Sequence, residues 1–127
     1  MKKIIKPLTW LIIILYLCLS PLDKMPEKPL INLPHFDKIV HFGMYFIWVL
    51  FLMPFFKMQF TKQISAILCL TLVLILGGSV EILQNLLQWG RSGNWADIFA
   101  NLLGGLSGLF FYHYINRKHN KLSQIFK

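Results

Sequence analysis

Four long apolar segments, separated by short polar connections, dominate this chain of 127 residues. A membrane-spanning helix needs about 17–25 apolar residues, and a bilayer admits only helices or closed barrels because every backbone polar group must be paired inside it. The first two segments are near the short limit, and the last two are comfortably long. We therefore predict an all-α polytopic membrane protein, a bundle of four transmembrane helices that forms a single domain over residues 1–127. The predicted helices lie near residues 7–22, 39–56, 64–89 and 96–115.

The first apolar segment also has the basic start and apolar centre of a secretory signal peptide. Its cleavage site would be poor, because Cys18 and Ser20 would take the −3 and −1 positions and Pro21 would follow the cut. We therefore predict a retained helix. Cys18 and Cys69 fall in opposite halves of the predicted bundle, without metal-ligand spacing around them, so we predict two packing residues and no disulfide.

Basic residues are concentrated in three segments that contain no acidic residue. Four spans place these segments on one side of the membrane, and the positive-inside rule makes that side cytoplasmic. Both termini are therefore predicted in the cytoplasm, in a multi-pass protein of the cell inner membrane. The net charge of +8 then needs only anionic membrane lipid as a partner, and no nucleic acid. The basic residues are Lys2, Lys3, Lys6, Lys57, Lys62, Arg117, Lys118, Lys121 and Lys127.

Polar side chains in three of the predicted helices fall near the same, outer end of the bundle. Residues three or four apart share one face of a helix. A charged group within a span is costly and normally faces the bundle interior, where it finds partners. We therefore predict an outward-facing polar pocket. Its residues are Asp37 and His41 in the second helix, Glu81 and Gln84 in the third, Asp97 and Asn101 in the fourth, and Arg91 in the loop between them.

Glycines in the last two helices indicate where helices approach one another closely. Gly104 and Gly108 form a small-xxx-small pair, a pattern typical of tight helix contacts in membranes. Gly105 continues the stripe of Asp97 and Asn101, so we predict that it lies at a helix interface. Such an approach would bring the short side chain of Asn101 within reach of a neighbouring helix.

Three stretches, "DKIVHFGMYF", "EILQ" and "GRSGNWADIFANLLGGLSG", together resemble the VanZ-like family of bacterial membrane proteins. The resemblance runs from Asp37 to Gly108, and the sequence departs from many relatives at Gln88-Trp89, where they carry a proline. It implies a small protein of the bacterial cell envelope. The namesake of the family is linked to resistance to the glycopeptide teicoplanin. The matching positions are Asp37, Lys38, His41, Phe42, Glu81, Gln84, Arg91, Asp97, Asn101, Gly105 and Gly108.

Several polar residues admit a structural role as readily as a functional one. Glu81 is either a site residue or a paired acid that fixes helix packing. His41 is either a general base or proton switch, or an interfacial histidine paired with Asp37. Asp97 either orients Arg91 or caps the fourth helix, whereas Asn101 and Gln84 suit hydrogen bonds between helices. His41 is the one well-placed imidazole, so we predict no metal and no cofactor.

Three functions remain open. The pocket could bind a lipid headgroup, a lipid-linked cell-wall precursor or a glycopeptide antibiotic without chemistry. Alternatively, the protein is a membrane enzyme on a phosphorylated lipid headgroup, with Arg91 holding phosphate, His41 as acid or base and Glu81 or Asp97 orienting it. The third function is a structural or transport subunit with a polar packing network. The sequence contains no Gly-x-Ser-x-Gly, His-Glu-x-x-His or phosphate-loop motif, so catalysis stays undecided.

Overall fold

The computed structural model describes residues 2–20, 35–87 and 93–118, and four α-helices account for nearly all of them. The described residues contain no β-strand, so the all-helical prediction with four helices is confirmed. Each of the four helices begins before its predicted apolar segment, because charged and polar residues at a span end can continue a hydrogen-bonded helix. The helices are α1 (Lys2–Leu19), α2 (Phe36–Phe56), α3 (Lys62–Leu87) and α4 (Trp95–Lys118).

Three of the four helices are long and apolar enough to cross a membrane: Phe36–Phe56, Lys62–Leu87 and Trp95–Arg117. The remaining helix, α1, has 18 residues and carries Lys2, Lys3 and Lys6 in its first two turns. Its length of about 27 Å, at 1.5 Å per residue, is slightly less than the thickness of the hydrocarbon core. The described part of the chain therefore has the composition of a membrane protein, with three lysines at the start of α1.

The closest helix contact joins α2 and α4, and glycines make it possible. A Cβ atom at Gly104 would collide with the backbone carbonyl oxygen of Phe42, and one at Gly108 would lie 2.7 Å from that of Phe46. Gly105 faces α3 instead, where a Cβ would lie 3.2 Å from Val73 Cγ2. The predictions of a Gly104–Gly108 contact pair and of an interfacial Gly105 are confirmed. This approach sets the distance between the polar residues of α2 and α4.

Helix α1 is attached to the bundle by hydrogen bonds from side chains to backbone carbonyl groups. Trp10 Nε1 donates to Met44 O over 2.8 Å, and Trp48 Nε1 donates to Pro7 O over 3.0 Å. Gln84 Nε2, from α3, donates to Cys18 O over 2.8 Å. These bonds tie both ends of α1 to its neighbours.

The two cysteines are packing residues, as the sequence predicted. Cys18 and Cys69 are both buried, and neither forms a disulfide. They belong to a core that is built mainly from apolar side chains of α2 and α3. Its most buried members include Tyr45, Val49, Met53, Val73 and Val80.

The orientation of the bundle stays a prediction from the basic residues. A reporter enzyme that is active only outside the cytoplasm should be inactive when fused at Lys127 and active when inserted near Glu27. The lysine-rich segments resist translocation, which is the physical reason for this expectation. Immunoblots should show equal amounts of both fusions. The opposite activity pattern would reverse the orientation and turn the predicted polar pocket toward the cytoplasm.

Candidate functional site

Four buried polar residues from three helices meet near one end of the bundle. This polar cluster consists of His41 from α2, Glu81 from α3, and Asp97 and Asn101 from α4. Their exposed fractions are 5 %, 4 %, 7 % and 1 %, respectively. The cluster lies where α2 and α4 begin and α3 ends, within about 9 Å of the helix ends at 1.5 Å per residue. The structure thus brings together four of the seven residues proposed from the sequence.

His41 is paired with Asn101. His41 Nδ1 lies 3.0 Å from Asn101 Oδ1, and because a carboxamide oxygen only accepts, the imidazole Nδ1–H donates. The neutral ring then carries its lone pair on Nε2. The alternative pairing of His41 with Asp37 is not the one observed, although the two residues are four apart on α2. The close contact at Gly104, three residues along from Asn101, brings the α4 amide to His41 instead.

The two carboxylate oxygens of Glu81 have different environments. Oε2 accepts the backbone N–H of Asn94 over 2.8 Å, at the start of α4. Oε1 is buried and accepts no hydrogen bond from the described residues. Nearby, Asn85 Oδ1 accepts the backbone N–H of Gly93 over 2.8 Å, and a side chain at Gly93 would collide with the Glu81 backbone. One oxygen of Glu81 therefore helps fix the chain that enters α4, and the other has no structural partner there.

Asp97 does not cap α4. Asn94 performs that role, since its Oδ1 accepts the backbone N–H of Ala96 over 3.0 Å. Asp97 Oδ1 instead lies 3.3 Å from Lys38 Nζ, an ion pair by distance whose angles do not form a hydrogen bond. Lys38 also contacts Asp37 Oδ2 at 3.0 Å, outside the buried cluster. Lys38 thus links an exposed acid on its own helix to a buried acid on α4.

The described part of the site carries more negative than positive charge and several unpaired atoms. Three carboxylates, of Asp37, Glu81 and Asp97, share the single ammonium of Lys38. Burial without partners costs about 1–3 kcal/mol for a neutral polar group and more for a charged one. The buried atoms without a hydrogen bond are Tyr45 Oη, Glu81 Oε1, Asp97 Oδ1 and Asn101 Nδ2.

Two of the remaining predicted site residues, Gln84 and Asp37, lie apart from the cluster. Gln84 uses its amide nitrogen to hold Cys18 O of α1, as a hydrogen bond between helices. Asp37 is exposed, and Arg91 lies outside the described residues. Sequence reasoning missed Asn94 and Asn85 as partners of the α3–α4 connection. Asn94 could have been found, because asparagine directly before an apolar helix is a favoured N-cap.

An apolar groove of about 330 Å³ lies between α1, α2 and α3. On α2 it begins at Trp48, which follows His41 by seven residues and therefore lies on the same helical stripe, about 10 Å deeper. Its lining is apolar except for Ser79. The lining residues include Pro7, Leu11, Trp48, Leu52, Leu72 and Leu76.

The residues of the cluster come from the three sequence motifs that resemble the VanZ-like family. A comparison of the chain with protein families tests that resemblance. Residues 3–116 match the family model described as VanZ/LLP1. The chain belongs to the VanZ/LLP1 family. The match covers nearly the whole chain, so family membership extends over α1 as well as over the motifs from Asp37 to Gly108. The comparison with curated proteins gave no match, and neither did the comparison with solved structures.

Proposed function

We propose that this VanZ/LLP1 protein binds the polar headgroup of a membrane lipid in the polar cluster, with part of an acyl chain in the apolar groove. The observation that carries the proposal is the set of buried atoms without a hydrogen bond from the described residues, above all Glu81 Oε1, together with Asp97 Oδ1, which has only the ion pair with Lys38. Buried polar groups in membrane helices are costly unless they meet a partner, and they commonly mark ligand sites.

The depth of the cluster supports a lipid as the ligand. Helices of 21 to 26 residues are about 32–39 Å long, whereas the hydrocarbon core is about 30 Å thick. A cluster within about 9 Å of the helix ends therefore lies near the level where headgroups meet acyl chains. The groove continues inward along the same stripe of α2, where an acyl chain would follow its headgroup.

The charges favour a headgroup that carries both signs. Glu81 and Asp97 suit an ammonium group, and the Lys38 ammonium with the Asn101 amide suits a phosphate. A zwitterionic aminophospholipid such as phosphatidylethanolamine satisfies both requirements. A lipid-linked wall precursor or a glycopeptide also offers amide and charged groups, and a contribution to glycopeptide resistance belongs to the same proposal.

A second candidate, an enzyme on a phosphorylated lipid, rests on His41. Its Nδ1 is held by Asn101, which leaves Nε2 as the basic nitrogen of the neutral tautomer, and the imidazole lies close to the carboxylates of Glu81 and Asp97. This is an arrangement in which a histidine can act as a general base. Release of phosphate or of a headgroup alcohol by purified protein would favour this candidate over binding alone.

Removal of the carboxylate charges should weaken lipid binding. In detergent-purified protein, Glu81→Gln and Asp97→Asn should each lower the affinity for phosphatidylethanolamine at least about tenfold, or about 1.4 kcal/mol. The readout is lipid retained in native mass spectra, with phosphatidylcholine and phosphatidylglycerol as competitors. Asn116→Leu changes a polar residue of α4 at the opposite end from the cluster and serves as the control, with unchanged binding expected.

Variants of the predicted site residues should also change the antibiotic susceptibility of cells. Susceptibility to teicoplanin is measured beside membrane abundance for Glu81→Gln, His41→Ala and Arg91→Lys. Loss of resistance at normal abundance supports a ligand pocket. Equal lipid retention by Glu81→Gln and Asn116→Leu, with unchanged susceptibility in all three variants of the susceptibility test, would contradict the proposed binding function.

A further inference from the structure

We infer that His41, Glu81 and Asp97 form a binding site for one divalent metal ion, of the Zn²⁺ or Mn²⁺ class. Each residue offers one ligand atom, and these atoms all lie within 4.8 Å of one another. The three residues come from three different helices and are all buried. The sequence argued against a metal because it shows one imidazole; the fold adds two carboxylates to it.

The protonation of His41 suits a metal ligand. Imidazole binds a metal through a nitrogen that carries no proton, and the other nitrogen typically donates to an oxygen that fixes the ring. Asn101 Oδ1 provides that oxygen, at 3.0 Å from Nδ1. Nε2 of the neutral ring is therefore the nitrogen left for a cation, and Asn101 is the positioning residue.

The carboxylates supply both vacant ligand atoms and charge. One oxygen of Glu81 accepts the backbone N–H of Asn94. The other oxygen is buried and accepts no hydrogen bond from the described residues, and the residue as a whole is only 4 % exposed. Asp97 Oδ1 is likewise without a hydrogen bond. Among the described residues, the two buried carboxylates have one ammonium group nearby, Lys38 Nζ, at 3.3 Å from Asp97 Oδ1. The negative charge that remains would be offset by a divalent ion.

The ligand set and its spacing fit this class of ion. Ligand atoms bound to one Zn²⁺ at about 2.1 Å lie no more than about 4.2 Å apart, so small side-chain rotations close the observed spacing. Mixed imidazole and carboxylate ligation is shared by Zn²⁺ and Mn²⁺, whereas Ca²⁺ and Mg²⁺ prefer oxygen alone. Three protein ligands leave at least one position open, which a phosphate oxygen of a headgroup could occupy.

The ion would use the carboxylate oxygens that also suit a lipid ammonium group, so in the metal-loaded site a headgroup would bind through its phosphate. The inference deepens the proposed lipid site but does not require it, because ion binding is measurable without lipid. The full chain is purified in detergent, delipidated, stripped with a chelator and loaded with Zn²⁺ or Mn²⁺. Bound metal is counted by mass spectrometry after buffer exchange, and thermal unfolding is followed with and without the ion. About one ion per chain and a raised unfolding temperature are expected.

Variants assign the ion to the cluster. Glu81→Gln and Asp97→Asn each keep side-chain size and should weaken ion affinity at least about 100-fold, whereas Asn101→Leu acts through His41 and should weaken it about 10–100-fold. Asn116→Leu, at the opposite end of α4 from the cluster, is the control and should bind like the unaltered protein. The unfolding temperature of each metal-free variant shows that it is folded before its affinity is compared.

Two results would overturn the metal site: no ion retained by the unaltered protein, or the same retention and stabilisation in Glu81→Gln and Asp97→Asn as in Asn116→Leu. Retained metal with no lipid binding would leave the ion site standing and remove the lipid proposal. Lipid binding that is unaffected by chelation, in protein that retains no metal, would remove the ion site alone.

Discussion

Gly104→Ala should destabilise the folded bundle by about 3 kcal/mol, the upper end of the usual cost of overpacking. The added methyl group would collide with the carbonyl oxygen of Phe42. A backbone atom inside a helix cannot rotate away as a side chain can, so α4 must move away from α2. That movement also separates Asn101 from His41, and both stability and ligand binding should fall.

The measurement compares thermal or denaturant unfolding in one detergent across several glycine variants. Gly43→Ala and Gly78→Ala are the matched controls, because a Cβ at either position has no neighbour within 4 Å. Alanine is a better helix former than glycine by about 1 kcal/mol, so these two variants should be as stable as the unaltered protein or slightly more so. If Gly104→Ala is as stable as Gly43→Ala, α2 and α4 do not approach as closely as described.

Asn101→Leu should cost about 2 kcal/mol, because it leaves the buried Nδ1–H of His41 without an acceptor. Leucine has a similar branched shape but no polar atom, and it also faces Gly77, where space is short: a Cβ there would lie 2.8 Å from Asn101 Nδ2. His41→Leu alone should be destabilising too, since it removes the partner of the Asn101 oxygen. Unfolding in detergent gives the free energies.

A double-mutant cycle separates this hydrogen bond from general packing. Replacing both partners by apolar groups can be nearly neutral, so the double variant should lose at least about 0.5 kcal/mol less than the sum of the single variants. Asn116→Leu is the control on the same helix, since Asn116 lies at the opposite end of α4 and its Nδ2 donates to Tyr112 O one turn away. Additive losses for His41 and Asn101 would show that they are not coupled.

The ligand proposals and these stability predictions both depend on how closely α4 packs against α2. The glycine contact positions α4, and Asn101 then positions the ring of His41. Glu81 meets Asn94 where α4 begins. A change at Gly104 therefore reaches the site through the backbone, whereas Glu81→Gln removes charge and leaves the helix contact intact. A comparison of the two variants therefore distinguishes a loss of structure from a loss of ligand binding.

Much of the fold could be predicted because lipid restricts the choices. Backbone groups must be paired within each span, so apolar length alone predicts helices, and their number was correct. The glycine pair of α4 was also predictable, since three- and four-residue spacing places Gly104 and Gly108 on one face. The ends of the helices were less accurate. Lys2 and Phe36 begin α1 and α2 several residues before the apolar segments, because an end residue need not be apolar to be helical.

The sequence by itself determined that the chain is helical and membrane-like, and that polar residues of three helices lie near one end. Helical spacing gives the face of each residue but not the rotation of one helix against another. Only the tertiary structure decided that His41 meets Asn101 rather than Asp37, and that Gln84 holds α1. It also decided that one imidazole and two carboxylates lie within 4.8 Å of one another. The physical reason is that partner choice follows from helix separation, which the contact of glycine with backbone fixes to within a fraction of an ångström.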